Sequence, residues 1–107
     1  MKVSELQEHG FTALTLPDGD REIVGAYMGD LLSWVMGRAR ADAAWITIMS
    51  NQNVAAVAVL ADVSCVILTE GVTLDENVKG LAEAKGINVL TTALPSYEAA
   101  VRLSELI

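Results

Sequence analysis

The sequence predicts an α/β domain, a three-layer α/β/α sandwich around a mostly parallel sheet of four to five strands. Three observations predict it. Short apolar runs rich in Val, Ile and Thr alternate with helix-patterned segments, and Gly, Pro, Asn or Asp punctuates most of the switches. The 107 residues are 52% hydrophobic but carry only five aromatic rings, Phe11, Tyr27, Trp34, Trp45 and Tyr97, so the core is built from small aliphatic side chains suited to close layers. Alternation of strand and helix implies right-handed crossovers, which place helices on both faces of a parallel sheet. The chain reads as one domain, residues 1–107, with no internal repeat, low-complexity segment or linker.

Each element follows from local pattern. KVSELQEHG predicts a short first helix closed by His9 ahead of Gly10, where an imidazole suits the C-terminal dipole. FTALTL is a strand, PDGD a turn and REIVGAYM a second strand, the two strands adding an antiparallel or edge element. A helix runs from Asp30, read as its N-cap, to about Ala39. WITIM, residues 45–49, is a short strand; a helix opened by Asn51 or Asn53 and ending near Asp62 follows, and SCVILT is a buried strand that stops at Gly71. Leu74, Val78, Leu81 and Ala82 then recur at helical spacing, with Gly86 just past the end. INVLTT is the last strand, and Pro95 and Ser96 open a helix whose apolar residues are Ala99, Ala100, Leu103 and Leu106.

Residues 54–68 are interrupted only by Asp62 and Ser64, yet a bilayer needs about 20 predominantly apolar residues, so this run is a crossover helix and an inner strand. No membrane association is expected. MKVSELQEHG has no apolar signal core, which points to the cytoplasm, and a single cysteine forms no internal disulfide. Fourteen acids against seven bases give a formal charge of -7, which argues against a nucleic-acid binder.

In an open parallel sheet, ligands bind at the carboxyl ends of the strands, facing helix N-termini. That rule gathers Gly29 and Asp30, Ser50, Asn51 and Asn53, Thr69, Glu70 and Gly71, and Thr91 and Thr92. They are mostly neutral hydrogen-bonding groups, and free N–H groups near residues 51–54 suit a phosphate or carboxylate without a lysine. Ser50 and the asparagines read first as caps and turn formers, and second as ligand contacts.

No catalytic constellation stands out. The chain has no GxxxxGK[ST], HExxH or GxSxG motif. Cys65 falls in a buried strand, as an inert core thiol would. Asp30 and Glu70, brought together, could hold a metal or act as acid and base, but they lack a histidine partner. Neither a cofactor nor a metal is expected.

In DLLSWVMGRA, Leu31, Leu32, Val35, Met36 and Ala39 share one arc of a helix, while Trp34 falls on the other. Trp34, with Tyr27 and Met28 just before it, therefore forms either a self-association surface or a contact beneath a neighbouring loop or the first helix.

The series GAYMGDLLSWVMGRA, AWITIMSNQNVAAVAVLADVSCVILTEG and LAEAKGINVLTTALPSYEAAVRLSEL resembles the DRTGG domain over nearly the whole chain after about residue 10. Such domains are similar to the N-terminal domain of HPr kinase and occur between the CBS domains of regulated pyrophosphatases, within long phosphate acetyltransferases, and as small single-domain proteins of anaerobes, often near hydrogenase or redox-enzyme genes. The resemblance implies a non-catalytic regulatory or dimerising domain. Thr69-Glu70-Gly71 matches the Thr-Gly-Gly of the family name, with Glu in place of the first Gly, and SNQN stands where related sequences carry a charged residue or His. The leading expectation is a homodimeric module that senses a small anionic or nucleotide ligand, or docks on a redox or metabolic enzyme. The alternatives are a purely structural association domain without ligand and, third, an enzyme.

Overall fold

The structure, a computed structural model, describes all 107 residues. The sheet has five strands in the order β1-β5-β4-β3-β2, with β1 Thr12–Thr15, β2 Ala26–Met28, β3 Ala44–Thr47, β4 Cys65–Leu68 and β5 Val89–Thr91. Strands β2 to β5 are mutually parallel, and β1 runs antiparallel along β5. The four α-helices are α1 Leu32–Arg38, α2 Asn53–Ala61, α3 Glu76–Ala84 and α4 Ser96–Leu106, preceded by a 3-10 helix at Val3–His9.

Every residue of β3 and β4 is buried, and the period-2 alternation of side chains divides them between two cores. Trp45, Val66, Leu68 and Val89 face Val35 of α1, Val54, Val57 and Ala58 of α2, and Ala82 of α3. Ala44, Ile46, Cys65, Ile67 and Leu90 face Val3 and Leu6 of the 3-10 helix and Ala99 and Leu103 of α4. Burying each large aliphatic side chain contributes about 1.5–3 kcal/mol, which is why the doubly covered strands need no alternation of polar residues. The three-layer sandwich with a mostly parallel sheet is therefore the observed architecture. No helix is long and apolar enough to cross a membrane.

Several local expectations change. REIVGAYM forms only the three-residue strand β2: Glu22 instead bridges to Lys2, the Val24 N–H donates to the Asp42 carbonyl, and Gly25 turns at φ 77° before pairing begins. The two N-terminal strands are the edge elements expected, β1 the antiparallel one, but they occupy opposite edges and do not pair with each other. Asp30 does not cap α1. The N-cap is Leu31, and Asp30 Oδ1 instead accepts from Thr47 Oγ1 at 2.8 Å and the Ile48 N–H at 3.1 Å, tying the end of β2 to the end of β3. Asn51 and Asn53 do not share the capping role. Asn51 Oδ1 accepts the Asn53 N–H at 2.9 Å, while Asn53 is the first helical residue.

A clamp at the amino-terminal side of the sheet was not anticipated. Arg21 Nε donates to Asp42 Oδ1 at 2.9 Å, and its Nη2 donates to both the carbonyl and Oδ1 of Asp62 at 2.7 Å. Asp42 and Asp62 hold left-handed backbones, φ 67° and 57°, at the turns that enter β3 and close α2. Burial alone would lower the Arg21 pKa, but the hydrogen bonds to Asp62 and Asp42 outweigh it and the net shift is upward. One guanidinium thus reinforces turns that the backbone joins only through the Asp42 N–H to the Asp62 carbonyl and the Val24 N–H to the Asp42 carbonyl.

Candidate ligand crevice

Because β2 to β5 are parallel, their carboxyl ends lie along one edge, in the order Thr91 and Thr92, then residues 69–71, then residues 48–53, then Gly29 and Asp30. The predicted residues do gather there. They divide into two sets by what they bind.

The first set lies at the ends of β4 and β5. Thr69 is fully buried, and its hydroxyl shares a 2.7 Å hydrogen bond with Ser96 Oγ. Glu70 and Gly71 both adopt the left-handed conformation, φ 59° and 74°. Their N–H groups donate to the carbonyls of Leu94 and Thr92, each at 2.9 Å. The Glu70 carboxylate accepts the Ser96 N–H at 3.0 Å, and so satisfies the first turn of α4, whose own N-cap, Pro95, offers no side-chain acceptor. Thr91 donates its hydroxyl to the Val72 carbonyl, and Thr92 Oγ1 accepts the Leu94 N–H at 3.3 Å. These groups are consumed in joining the two strand ends to α4. Asp30 is committed likewise, to Thr47 and Ile48.

Asp30 and Glu70 bond different backbone amides, on β2 and β4 ends separated by β3, and no three His, Cys, Asp or Glu side chains cluster in a metal-binding arrangement. The paired-carboxylate expectation is corrected on that ground. Every buried side-chain polar atom has a partner.

The second set is Ser50, Asn51, Gln52 and Asn53, in the turn between β3 and α2. Asn51 uses its carboxamide oxygen and its carbonyl to receive the N–H groups of Asn53 and Val54. The backbone N–H groups of Ser50, Asn51 and Gln52 donate to nothing within the chain, and Asn51, Gln52 and Asn53 are exposed. Unpaired amides in front of a nine-residue helix combine free donors with the positive end of its dipole, an arrangement suited to an anion.

Cys65 and the cluster around Trp34 complete the predicted residues. Cys65 is fully buried, and desolvation pushes its pKa up to about 12 against the smaller downward pulls of the Ser64 hydroxyl and the Arg21 charge. Met28 is 55% exposed and Trp34 51% exposed, with the Arg38 guanidinium 3.7 Å from the Trp34 ring centre, so Trp34 does not lie under a loop or the first helix. Tyr27 is half-buried and packs against the α1–α3 core.

Fold and crevice together define an α/β sandwich domain in which four parallel strand ends meet the N-termini of flanking helices, with the amides of one turn unpaired. The model of the DRTGG domain family matches residues 18–106, and the chain belongs to that family. Its fold is similar to the CBS and DRTGG domains of the regulatory region of Clostridium perfringens pyrophosphatase, solved in complex with an activator, diadenosine tetraphosphate. That likeness has a TM-score of 0.67 at 21% identity and covers 92% of this chain and 43% of the other. No curated protein matches the sequence.

Proposed function

We propose that this chain is a non-catalytic, homodimeric regulatory module, a single DRTGG-like domain over residues 1–107, that senses a small anionic or nucleotide ligand at the carboxyl edge of its sheet. The observation that carries the proposal is the row of unpaired N–H groups at Ser50, Asn51 and Gln52 in front of α2. Phosphate oxygens would accept from these amides. Asn53, exposed in the first turn, adds a neutral donor at a site where the chain's net charge of -7 would otherwise repel an anion. The diadenosine tetraphosphate held by the pyrophosphatase region supplies the ligand class to try first. Thr69, Glu70, Gly71, Thr91, Thr92 and Asp30 act as the frame that fixes this turn relative to the strand ends, and the sensed state would pass to a partner redox or metabolic enzyme.

A thermal-shift panel of nucleotides, dinucleoside polyphosphates, inorganic phosphate and carboxylates tests this reading. A ligand at 100 times its dissociation constant stabilises the fold by about 2.7 kcal/mol. Asn53→Asp places a negative charge in the first turn of α2, which favours the helix by about 0.3–1 kcal/mol yet repels an anion. The expected result is a more stable free protein that has lost the ligand shift. Hits that survive Asn53→Asp would move the site elsewhere, and a panel without hits would favour the purely structural association domain.

A further inference from the structure

Strand β2 is an outer strand of the sheet, and its pairing shows which backbone groups it leaves open. The Ala44 N–H donates to the Gly25 carbonyl at 3.0 Å, and the Gly29 N–H donates to the Ile46 carbonyl at 3.1 Å. Along a parallel strand both groups of a residue point to the same side, so Gly25, Tyr27 and Gly29 face β3. The N–H and C=O of Ala26 and Met28 therefore face outward. Natural edges are blunted by brevity, charge, proline or a covering element; β2 is short, at three residues, but carries no charge or proline. Its rim instead exposes Val24, Met28, Leu31 and Trp34, between 51% and 65% accessible.

Two clefts flank this edge and share Tyr27 and Arg38. One, of about 320 Å³, is lined by Val24, Gly25, Ala26, Arg38 and Arg40 among others. Neither arginine pairs with a carboxylate, although the chain has fourteen acids. The second cleft, of about 310 Å³, contains Met28, Asp30, Leu31 and Trp34. A cationic cleft thus opens at the start of β2, and an exposed acid lies just beyond its end.

We propose that the β2 edge joins a second copy of this chain by antiparallel β2–β2 pairing about a two-fold axis through Tyr27, giving one continuous ten-stranded sheet; this deepens the homodimer of the reading above. The register follows from the outward groups. Ala26 of one copy opposes Met28 of the other, and the two such pairs make four backbone hydrogen bonds. The same register sets the end of each β2 beside the start of its mate's, which carries Asp30, just beyond the strand, toward the cleft of Arg38 and Arg40. Asp30 engages its neighbours through Oδ1 alone, leaving Oδ2 to face a guanidinium. Both copies of α1 fall on the same side of the joined sheet, so Leu31 and Trp34 meet across the axis, and nothing fills the space a Cβ at Gly37 would take. An isologous interface satisfies the acid, the two arginines, the open edge and the apolar rim at once.

Sedimentation velocity of the full chain at tens of micromolar tests the register through charge exchange. The wild type is expected to be a dimer. Arg40→Glu faces Asp30 with a like charge, Asp30→Lys faces Arg40 with a like charge, and each alone is expected to weaken the dimer at least tenfold. Mixed in equal amounts they restore it, because the carboxylate introduced at position 40 then meets the ammonium introduced at position 30, and the native Arg40 of one copy meets the native Asp30 of the other. Ala26→Pro removes only an outward N–H and is expected to weaken the dimer while circular dichroism stays native. A dimer indifferent to all three substitutions would leave the homodimer standing and overturn this edge as its interface. A strictly monomeric wild type would overturn both and leave the edge to an extended segment of another protein. Failure of the ligand panel bears on neither result.

Discussion

Glu70 is the residue at which the family's glycine and this chain's chemistry can be separated experimentally. Its backbone is left-handed at φ 59°, where an L side chain costs roughly 1–2 kcal/mol and glycine costs almost nothing. Against that strain, its carboxylate accepts the Ser96 N–H at 3.0 Å and caps α4, a contact whose loss typically costs about 1 kcal/mol. Glu70→Ala removes the cap and keeps the strain, so it is expected to destabilise by about 1 kcal/mol, a fall in Tm of about 4 °C. Glu70→Gly removes the cap and the strain together, and glycine's greater freedom in the unfolded chain takes back about 0.5–1 kcal/mol. The net effect is expected to lie within about 1 kcal/mol of zero, with Gly above Ala. Urea denaturation with equal m-values for the three proteins is the assay. Alanine more stable than glycine would refute the strain, and alanine as stable as the wild type would refute the cap.

Further expectations follow from the core, the clamp and the free turn. Native Cys65 should resist a thiol-directed disulfide reagent at neutral pH and react only after unfolding, because burial holds its pKa at about 12. The unfolded thiol ionises near pH 9.0, so this group leaves stability unchanged below that value. Between there and about 12 the unfolded chain releases a proton that the folded chain keeps; stability then falls by up to about 1.4 kcal/mol per pH unit, and Cys65→Ala should flatten that slope. Arg21→Met should cost about 1–2 kcal/mol in denaturant unfolding, and Arg21→Lys should recover little of it, since one ammonium cannot reproduce the forked contacts to Asp42 and Asp62. In the ligand panel, Asn53→Asp should raise Tm in free protein while removing the response to anions, and an unchanged response would displace the site from α2.

The layered fold was legible because its signals are local. Ala44 to Thr47 and Cys65 to Leu68 are continuous apolar runs of strand length, and Gly71 and Gly86 mark turns at φ 74°. The positions of β1 and β2 at opposite edges were not legible, because nothing in TALTL or REIVGAYM encodes which distant strand each meets. Three-residue β2 looked longer because Glu22 and Ile23 fit a strand pattern while bonding to the N-terminus instead. Asp30 precedes a helix and so resembles a cap; the Thr47 hydroxyl that ends β3 and the Ile48 amide just after it, 17 and 18 residues away, win its carboxylate. Topology brings the named residues to one edge of the sheet, but their division into two sets was hidden. Thr69 and Glu70 serve Ser96, a partner 26 or 27 residues downstream, whereas SNQN keeps its amides open. Arg21 went unnoticed because its two aspartates sit 21 and 41 residues away, and only the closing of two turns brings them to one guanidinium.

The central claim is that the turn in front of α2 is where this DRTGG domain receives its ligand. Backbone amide resonances report on it directly. Titrating the 15N-labelled protein with diadenosine tetraphosphate, and with ATP and inorganic phosphate as comparisons, is predicted to move the amides of Ser50, Asn51 and Gln52 furthest, with saturation and with loss of the effect in Asn53→Asp. Saturable shifts centred on another face, or none at millimolar concentrations of all three compounds, would contradict the account.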